Sequence, residues 1–130
     1  MAVKRYLLDS DILIEHLRGR QQAKTFIARL KQEGELLVSA MTVAELFAGA
    51  RDQREEEAIN TLLRQTSVIT IDDRVAKRGG AFCAQYRHTH GTSLSDALIA
   101  ASTEVSKATL VTFNRRHFPM ITNQQVPYER

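Results

Sequence analysis

The chain has 130 residues, the size of one ordinary domain, and 43% of them are hydrophobic, which is enough for a buried core. No apolar run approaches the roughly 18 residues of a membrane span, and no hydrophobic signal segment precedes the first apolar run. The single cysteine, Cys83, excludes an internal disulfide. These features predict a single domain over residues 1–130 in the cytoplasm, with no membrane partner. The net charge of +3 permits a nucleic-acid partner without requiring one.

Short segments that favour strands alternate with longer amphipathic segments that favour helices. We predict strands over 4–8, 36–39, 68–71 and 109–112, and a weaker fifth strand near 124–127. Helices are predicted over 11–18, 21–33, 42–51, 55–65, 73–89 and 95–106. This order predicts an α/β fold, a three-layer α/β/α sandwich around a mainly parallel sheet of four to five strands. Cys83, between small and apolar residues, is expected to be a buried core residue.

The first predicted strand ends in a group of acidic residues. In the stretch RYLLDSDILIEHL, Asp9 follows the strand directly, and Asp11 and Glu15 come shortly after it. Carboxylates beside a core-forming segment are costly to desolvate unless something compensates their charge. They could cap the first helix, or they could bind a cation.

Two further carboxylates occur in comparable surroundings much later in the chain. Glu45 lies in SAMTVAEL, and Asp96 lies in SLSDALIAA. Thr42-x-x-Glu45 and Ser93-x-x-Asp96 both fit a helix capping box, so each has a purely structural interpretation. Ligand sites of parallel sheets lie beyond the carboxyl ends of the strands, however. Capping alone does not explain why acidic residues recur at positions expected on that side of the sheet.

Carboxylates that meet in one pocket repel one another unless they hold protons or share a cation. Ligation by oxygen alone suits hard divalent ions, so we predict that Asp9, Glu45 and Asp96 bind Mg²⁺ or Mn²⁺. Zinc is disfavoured because His88-x-His90 has no cysteine partner. Four neighbouring hydroxyl groups are predicted to orient the carboxylates by hydrogen bonds, or to cap helices, or both: Ser10, Ser39, Thr42 and Ser95.

Four motifs together resemble a known family. LLDSDILIE, SAMTVAELFAGAR, GTSLSDALIAAS and TLVTFNRRHF occur in the order and spacing of PIN domains, specifically the VapC-type ribonuclease toxins of prokaryotic toxin–antitoxin pairs. The resemblance implies a Mg²⁺- or Mn²⁺-dependent endoribonuclease whose catalytic metal ligands are Asp9, Glu45 and Asp96. It also implies a cognate VapB-type antitoxin and a homodimer.

The segment after the fourth predicted strand departs from the family pattern. The family often has a fourth acidic residue there, whereas this chain reads NRRHF over 114–118. Asn114 occupies the expected position and could offer a carbonyl oxygen to the metal. Asp11 is a further candidate ligand, with Glu15 in reserve.

The substrate and the antitoxin have their own candidate residues. Arg115 and Arg116 are predicted to contact the RNA backbone, although ordinary surface charge also explains them. Because few aromatic residues are available for base stacking, a structured RNA such as tRNA, recognised by shape, is at least as compatible with the sequence as sequence-specific binding. Apolar residues near helices 21–33 and 42–65 could contact the antitoxin or belong to the core: Phe26, Leu46, Phe47 and Leu63.

Two alternatives stay open from the sequence. Phosphatases of the haloacid dehalogenase type also begin with a strand followed by Asp-x-Asp. Here Leu13 replaces their usual Thr or Val, and 130 residues leave no room for a cap domain. The other alternative is a non-catalytic PIN-like module that binds RNA or a protein, which the missing fourth carboxylate allows.

Overall fold

The computed structural model describes residues 3–130, and within this range five strands form one sheet. The strands are β1 (Arg5–Leu8), β2 (Glu35–Ser39), β3 (Ser67–Ile69), β4 (Thr109–Val111) and β5 (Gln124–Gln125). Their order is β3-β2-β1-β4-β5, and every neighbouring pair is parallel. The predicted parallel sheet is confirmed, and the weak fifth strand is real but short.

Six α-helices join these strands within the same described residues. They are α1 (Ser10–Leu17), α2 (Gln21–Glu33), α3 (Ala40–Ala48), α4 (Gln53–Leu63), α5 (Asp73–His90) and α6 (Leu94–Ser106). The predicted helices agree with these bounds to within a few residues at each end. A short 3₁₀ helix over Arg115–His117 was not predicted.

Side chains that alternate along the strands build two separate cores, one on each face of the sheet. Tyr6 and Leu8 pack with buried residues of the first four helices, whereas Leu7 packs on the other face with α5 and α6. All three side chains are buried. The predicted three-layer α/β/α architecture is therefore confirmed.

The central position of β1 determines where a ligand site can form. From β1 the chain builds β2 and β3 on one side, and later adds β4 and β5 on the other side. Ligands of such sheets bind beyond the carboxyl ends of the strands where the order of addition reverses, which here lies between β1 and β4. The backbone N–H of Asp9 donates to the carbonyl of Val111 at 2.9 Å, so the residue after β1 is held against the end of β4.

The two predicted capping boxes have different outcomes. Ser93 and Asp96 form theirs, with Asp96 N–H donating to Ser93 Oγ at 3.0 Å and Ser93 N–H donating to Asp96 Oδ2 at 3.1 Å. The Thr42-x-x-Glu45 box is wrong because Ser39 caps α3 instead and accepts from the Met41 N–H at 3.1 Å. Glu45 consequently lies in the second turn of α3, where its carboxylate is not needed as a cap.

Two smaller predictions concern exposure. Cys83 is half-buried rather than buried, and its thiol lies 3.9 Å from the carbonyl oxygen of Thr92. Among residues 3–130, no helix is both long enough and apolar enough to cross a membrane.

Candidate active site

Asp9 is the buried carboxylate at the carboxyl end of β1, with only 6% of its surface exposed. Its Oδ1 accepts from the Ser10 N–H at 2.8 Å, and its Oδ2 accepts from the Thr112 hydroxyl at 2.7 Å. Burial first, and the neighbouring charge of Asp11 second, raise the pKa of Asp9 to about 7. Ionising this group fully at neutral pH therefore requires a nearby positive charge.

Asp11 lies beside Asp9 and is held by the backbone after β4. Its Oδ2 accepts from the Phe113 N–H at 2.9 Å, and the Thr112 hydroxyl oxygen lies 3.2 Å away. That hydroxyl has one proton, and it also accepts from the Asn114 N–H at 3.0 Å, which turns its proton toward the two carboxylates. Burial raises the pKa of Asp11 as well. Asp11 is thus near the site, but protein donors already satisfy the oxygen that faces β4.

Glu45 extends from α3 and has one oxygen without a hydrogen-bond donor. Its Oε2 accepts from the Ser95 hydroxyl of α6 at 2.9 Å. Its Oε1 is buried and, among the residues that the structure describes, has no partner. A buried oxygen left in this state is costly unless a water or a cation satisfies it. Burial, together with the negative charge of Asp96, raises the pKa of Glu45.

Asp96 is the carboxylate that connects the others electrostatically. Besides burial, its negative charge contributes to the raised pKa of both Asp9 and Glu45. Its Oδ2, which also belongs to the capping box, lies 3.2 Å from Nδ1 of His117. The structure therefore brings Asp96 within electrostatic reach of both Asp9 and Glu45, although 87 and 51 positions separate it from them in the sequence.

The donor set fits a hard divalent cation by its chemistry. Glu45 Oε1 lacks a donor, and the charge of Asp96 adds to the raised pKa of Asp9 and Glu45, so a shared positive charge is what the group lacks. Within residues 3–130, however, no group of three or more His, Cys, Asp or Glu side chains is positioned to hold a metal ion.

The hydroxyl groups predicted to orient the carboxylates have mixed outcomes. Ser95 donates to Glu45. Ser10 contacts Asp9 through its backbone N–H rather than its hydroxyl. Ser39 Oγ accepts from Ser102 Oγ at 3.0 Å in the core, and Thr42 Oγ1 is buried without a partner among the described residues. Ser95 is the member of the four whose hydroxyl the described structure brings to a predicted ligand.

Thr112 and His117 contact the carboxylates but were not predicted. The pairing of Leu8 with Val111 in adjacent parallel strands places Thr112 next to Asp9. The contact of Thr112 with Asp9 could therefore have been predicted from the register of β1 and β4. His117 ends the 3₁₀ helix, and its Nδ1 lies 2.6 Å from the side-chain nitrogen of Asn114. Residues three apart lie above one another in a 3₁₀ helix, which is the local signal for that contact.

Three other predicted residues lie at the rim of the carboxylate site. The side chain of Asn114 is exposed and contacts His117 rather than one of the predicted ligands. Arg115 and Arg116 are exposed on the same 3₁₀ helix, and none of the ion pairs found in residues 3–130 includes them. Both cations are therefore available for a phosphate backbone.

Glu15 does not join the carboxylate group. It pairs with Arg130 at 3.2 Å and with Arg20 at 3.5 Å. The guanidinium of Arg130 also lies 4.1 Å from the ring centroid of Phe113. These contacts do not support Glu15 as a metal ligand.

Family comparison agrees with this geometry. The model of the PIN domain matches residues 6–121, which is most of the chain. This chain belongs to the PIN domain family. Ribonuclease VapC10 of Mycobacterium tuberculosis is 36% identical over 123 residues, which cover 94% of this chain and 92% of the relative. Ribonuclease VapC19 of the same species is 36% identical over 124 residues, with 94% and 98% covered. Within the family, the chain is therefore of the VapC type.

Solved structures of toxin–antitoxin complexes share the fold. A toxin–antitoxin complex from Klebsiella pneumoniae contains a chain with a TM-score of 0.78 and 28% identity, and the match covers 96% of this chain and 99% of that one. VapBC-1 from nontypeable Haemophilus influenzae gives a TM-score of 0.74 at 25% identity, covering 95% and 98%. The phosphatase alternative finds no support in these comparisons.

Proposed function

We propose that this PIN domain is a Mg²⁺- or Mn²⁺-dependent endoribonuclease that hydrolyses RNA phosphodiester bonds and acts as the toxin of a VapBC-type pair. The observation that supports the proposal is the negative charge of Asp96, which contributes to the raised pKa of both Asp9 and Glu45, together with the buried Oε1 of Glu45 that has no partner among the described residues. Two relatives that are 36% identical to this chain, and that it covers over 92% and 98% of their length, are named ribonucleases.

Each residue of the carboxylate site has a specific role in this proposal. A divalent ion held by Asp9, Glu45 and Asp96 would supply the Lewis acidity that activates water and offsets charge on the phosphoryl oxygens. Asp9 is the fixed ligand, because its backbone is bonded to β4 and both its oxygens accept hydrogen bonds. Glu45 is oriented by Ser95 and keeps Oε1 free to bind an ion or to accept a proton from water.

Arg115 and Arg116 would hold the RNA. They lie on the 3₁₀ helix that begins directly after Asn114, and this helix also carries His117, which contacts Asp96. Cationic side chains at this rim attract the phosphate backbone without selecting bases. Four of the eight Phe and Tyr rings are buried in the two cores, and the other four pack against these cores and are partly buried. Recognition by shape, as for a structured RNA such as tRNA, therefore remains our proposal.

A groove that Glu45 lines supports an antitoxin as partner. It has a volume of about 520 Å³ and lies between α1, α3 and α4, with apolar lining from Leu17, Leu46 and Ile59. Glu45 lines one part of this groove, and Arg51 lines another. A segment of a VapB-type antitoxin with apolar side chains could fill it and cover the site. Four residues were predicted either to contact the antitoxin or to belong to the core. Phe26 and Leu46 are buried core residues, and Phe47 and Leu63 pack against the same core.

The homodimer and the cytoplasmic location stay predictions. The first rests on the family resemblance, and the second rests on composition and on the single cysteine.

The proposal is tested by cleavage of total RNA with purified protein in Mg²⁺ or Mn²⁺, with EDTA as the metal-free reaction. We expect Asp96→Asn to lower cleavage by at least about 100-fold, because it removes a metal-binding charge while keeping the size of the side chain. Asp73→Asn is the matched control, since Asp73 is an exposed carboxylate on α5 that forms a surface ion pair with Lys77. Circular dichroism checks that both variants fold.

Undiminished cleavage by Asp96→Asn would reject this site. Wild-type protein that binds RNA but leaves it intact in both metals would instead support the non-catalytic module.

A further inference from the structure

We infer that the RNA extends from the carboxylate site across the carboxyl-terminal end of α5, where Arg87 contacts its phosphate backbone. The inference deepens the proposed function and rests on it, because it takes RNA as the polymer that the carboxylate site acts on. It adds Arg87 to Arg115 and Arg116 and gives the RNA a direction on the protein. The surface consists of residues 87–93 and 114–117, and we call it the basic surface.

The end of α5 and the 3₁₀ helix lie against each other. Gly91 ends α5 in the left-handed conformation, with a φ of 66°, and a Cβ at this position would lie 3.6 Å from Nε2 of His117. The next residue, Thr92, is buried, and its hydroxyl donates to the carbonyl of His117 at 2.8 Å. The two segments therefore form one continuous surface, which the side chain of a buried threonine holds together.

The basic surface is also continuous with the carboxylate site. Residues 91–93 join α5 to α6, and the first turn of α6 carries Asp96. From the 3₁₀ helix, Nδ1 of His117 lies 3.2 Å from Oδ2 of Asp96. An RNA bound at Asp96 therefore has the basic surface directly beside it.

Arg87 lies on the side of α5 that faces the loop between α5 and α6. Residues four apart share one face of an α-helix, and Arg87 comes four residues after Cys83. The thiol of Cys83 lies 3.9 Å from the carbonyl oxygen of Thr92. Arg87 therefore lies on the same face, one turn closer to the end of α5, and it is exposed.

The basic surface is rich in basic residues and contains no acidic residue. Residues 87–93 read RHTHGTS and residues 114–117 read NRRH, with three arginines, three histidines and no Asp or Glu. All three arginines are exposed, and none of the ion pairs found in residues 3–130 includes any of them. Exposed cations without carboxylate partners suit the phosphate backbone of a nucleic acid.

Other cations near the carboxylate site already have carboxylate partners. Arg20 and Arg130 both pair with Glu15, at 3.5 and 3.2 Å. The groove between α1, α3 and α4 contains Arg51, which pairs with Glu55 at 3.1 Å. This difference favours the basic surface, rather than the groove, as the path of the RNA.

The test measures binding of mixed tRNA to the protein in EDTA, which prevents metal-dependent cleavage, at several salt concentrations. We expect Arg87→Gln to weaken binding about five- to tenfold near 0.1 M salt and to reduce the salt slope of log K by about 1, as for the loss of one phosphate contact. Arg87→Lys keeps the charge and should retain most of the affinity. Arg64→Gln is the matched control, because Arg64 is exposed at the end of α4, just before β3 begins, and so lies at the opposite edge of the sheet.

A cleavage assay on the RNA that the wild type cuts gives a readout that a merely structural role would not produce. Arg87→Gln should raise KM about five- to tenfold and leave kcat within about twofold, because the contact is the same before and during the reaction. A fall in kcat at unchanged KM would overturn the role of Arg87 as a backbone contact.

The outcomes separate this inference from the proposed function. Arg87→Gln protein with the affinity and salt slope of Arg64→Gln overturns the inference and leaves the nuclease proposal intact; this is the result expected if the basic surface binds an acidic protein instead. Wild-type protein that binds tRNA through Arg87, but cleaves no RNA in Mg²⁺ or Mn²⁺, supports the basic surface and overturns the nuclease. Wild-type protein that neither binds nor cleaves RNA overturns both.

Discussion

Two halves of the carboxylate site are held by different kinds of structure. The strand half consists of Asp9 and Asp11, which accept from backbone N–H groups and from the Thr112 hydroxyl at the ends of β1 and β4. The helix half consists of Glu45 and Asp96, which extend from α3 and α6, with one side-chain donor from Ser95 between these helices. The strand half is fixed by the sheet, whereas the helix half depends on the contact of Ser95 with Glu45 and on the local capping box that holds Asp96.

This difference indicates that folding alone positions one part of the site, whereas the other part is completed when a ligand binds. Asp9 is buried, and both its oxygens have donors before any ion binds. Glu45 is half-buried and keeps one oxygen without a donor among the described residues. We therefore expect the strand half to define where the cation binds, and the helix half to close around it.

The largest effect is expected from breaking the strand half with Thr112→Val. This change keeps the shape of the side chain but removes the hydroxyl that donates to Asp9 at 2.7 Å and accepts from the Asn114 N–H. We expect roughly 100-fold weaker Mn²⁺ binding and a similar loss of RNA cleavage, since such supporting bonds fix ligand orientation. Calorimetry and a cleavage assay measure the two quantities. Thr112→Ser, which keeps the hydroxyl, should retain both, and a Thr112→Val protein with normal affinity would mean that the sheet backbone alone fixes Asp9.

A somewhat smaller effect follows from the charge on Asp9 in the metal-free fold. Folding raises its pKa from 3.8 to about 7, so the folded state holds a proton that the unfolded chain loses. The free energy of unfolding should therefore fall by about 2 kcal/mol as the pH rises from about 5 to about 7, and Asp11 and Glu45 act in the same direction. Urea unfolding in EDTA at several pH values measures this.

Two comparisons sharpen that result. Asp9→Asn removes the titrating group and should flatten the dependence on pH, and added Mn²⁺ should restore the stability of the wild type above about pH 7. A dependence that is equally steep in Asp9→Asn would assign the buried proton to another residue.

The sequence predicts the elements and the acidic residues better than it predicts their partners. The helix Gln21–Glu33 follows from its apolar stripe and from Gly34, which ends it. Asp9 was found because it follows a strand, and Ser93 with Asp96 because a capping box is a local pattern. Each of these signals lies within a few neighbouring residues.

The partners were missed where the contacts are distant or where two local patterns compete. The hydrogen bond from Thr112 to Asp9 joins residues 103 positions apart, so it depends on strand order and register rather than on a motif. Ser39 and Thr42 could each begin α3, and the structure selects Ser39. For the same reason, hydroxyl groups near an acidic residue in sequence proved a poor guide to hydroxyl groups near it in space.

The smallest effect is expected from the helix half, in Ser95→Ala. This variant removes the donor to Glu45 Oε2, but both carboxylate oxygens can then reach the cation, and water can replace the lost hydroxyl because Ser95 is only half-buried. We expect cleavage to fall by only about threefold, with Mn²⁺ affinity changed by a similar factor. Ser67→Ala, at an exposed serine that begins β3, is the control. If Ser95→Ala lost as much activity as Thr112→Val, the helix half would be as rigidly determined by the protein as the strand half, and the proposed division between them would fail.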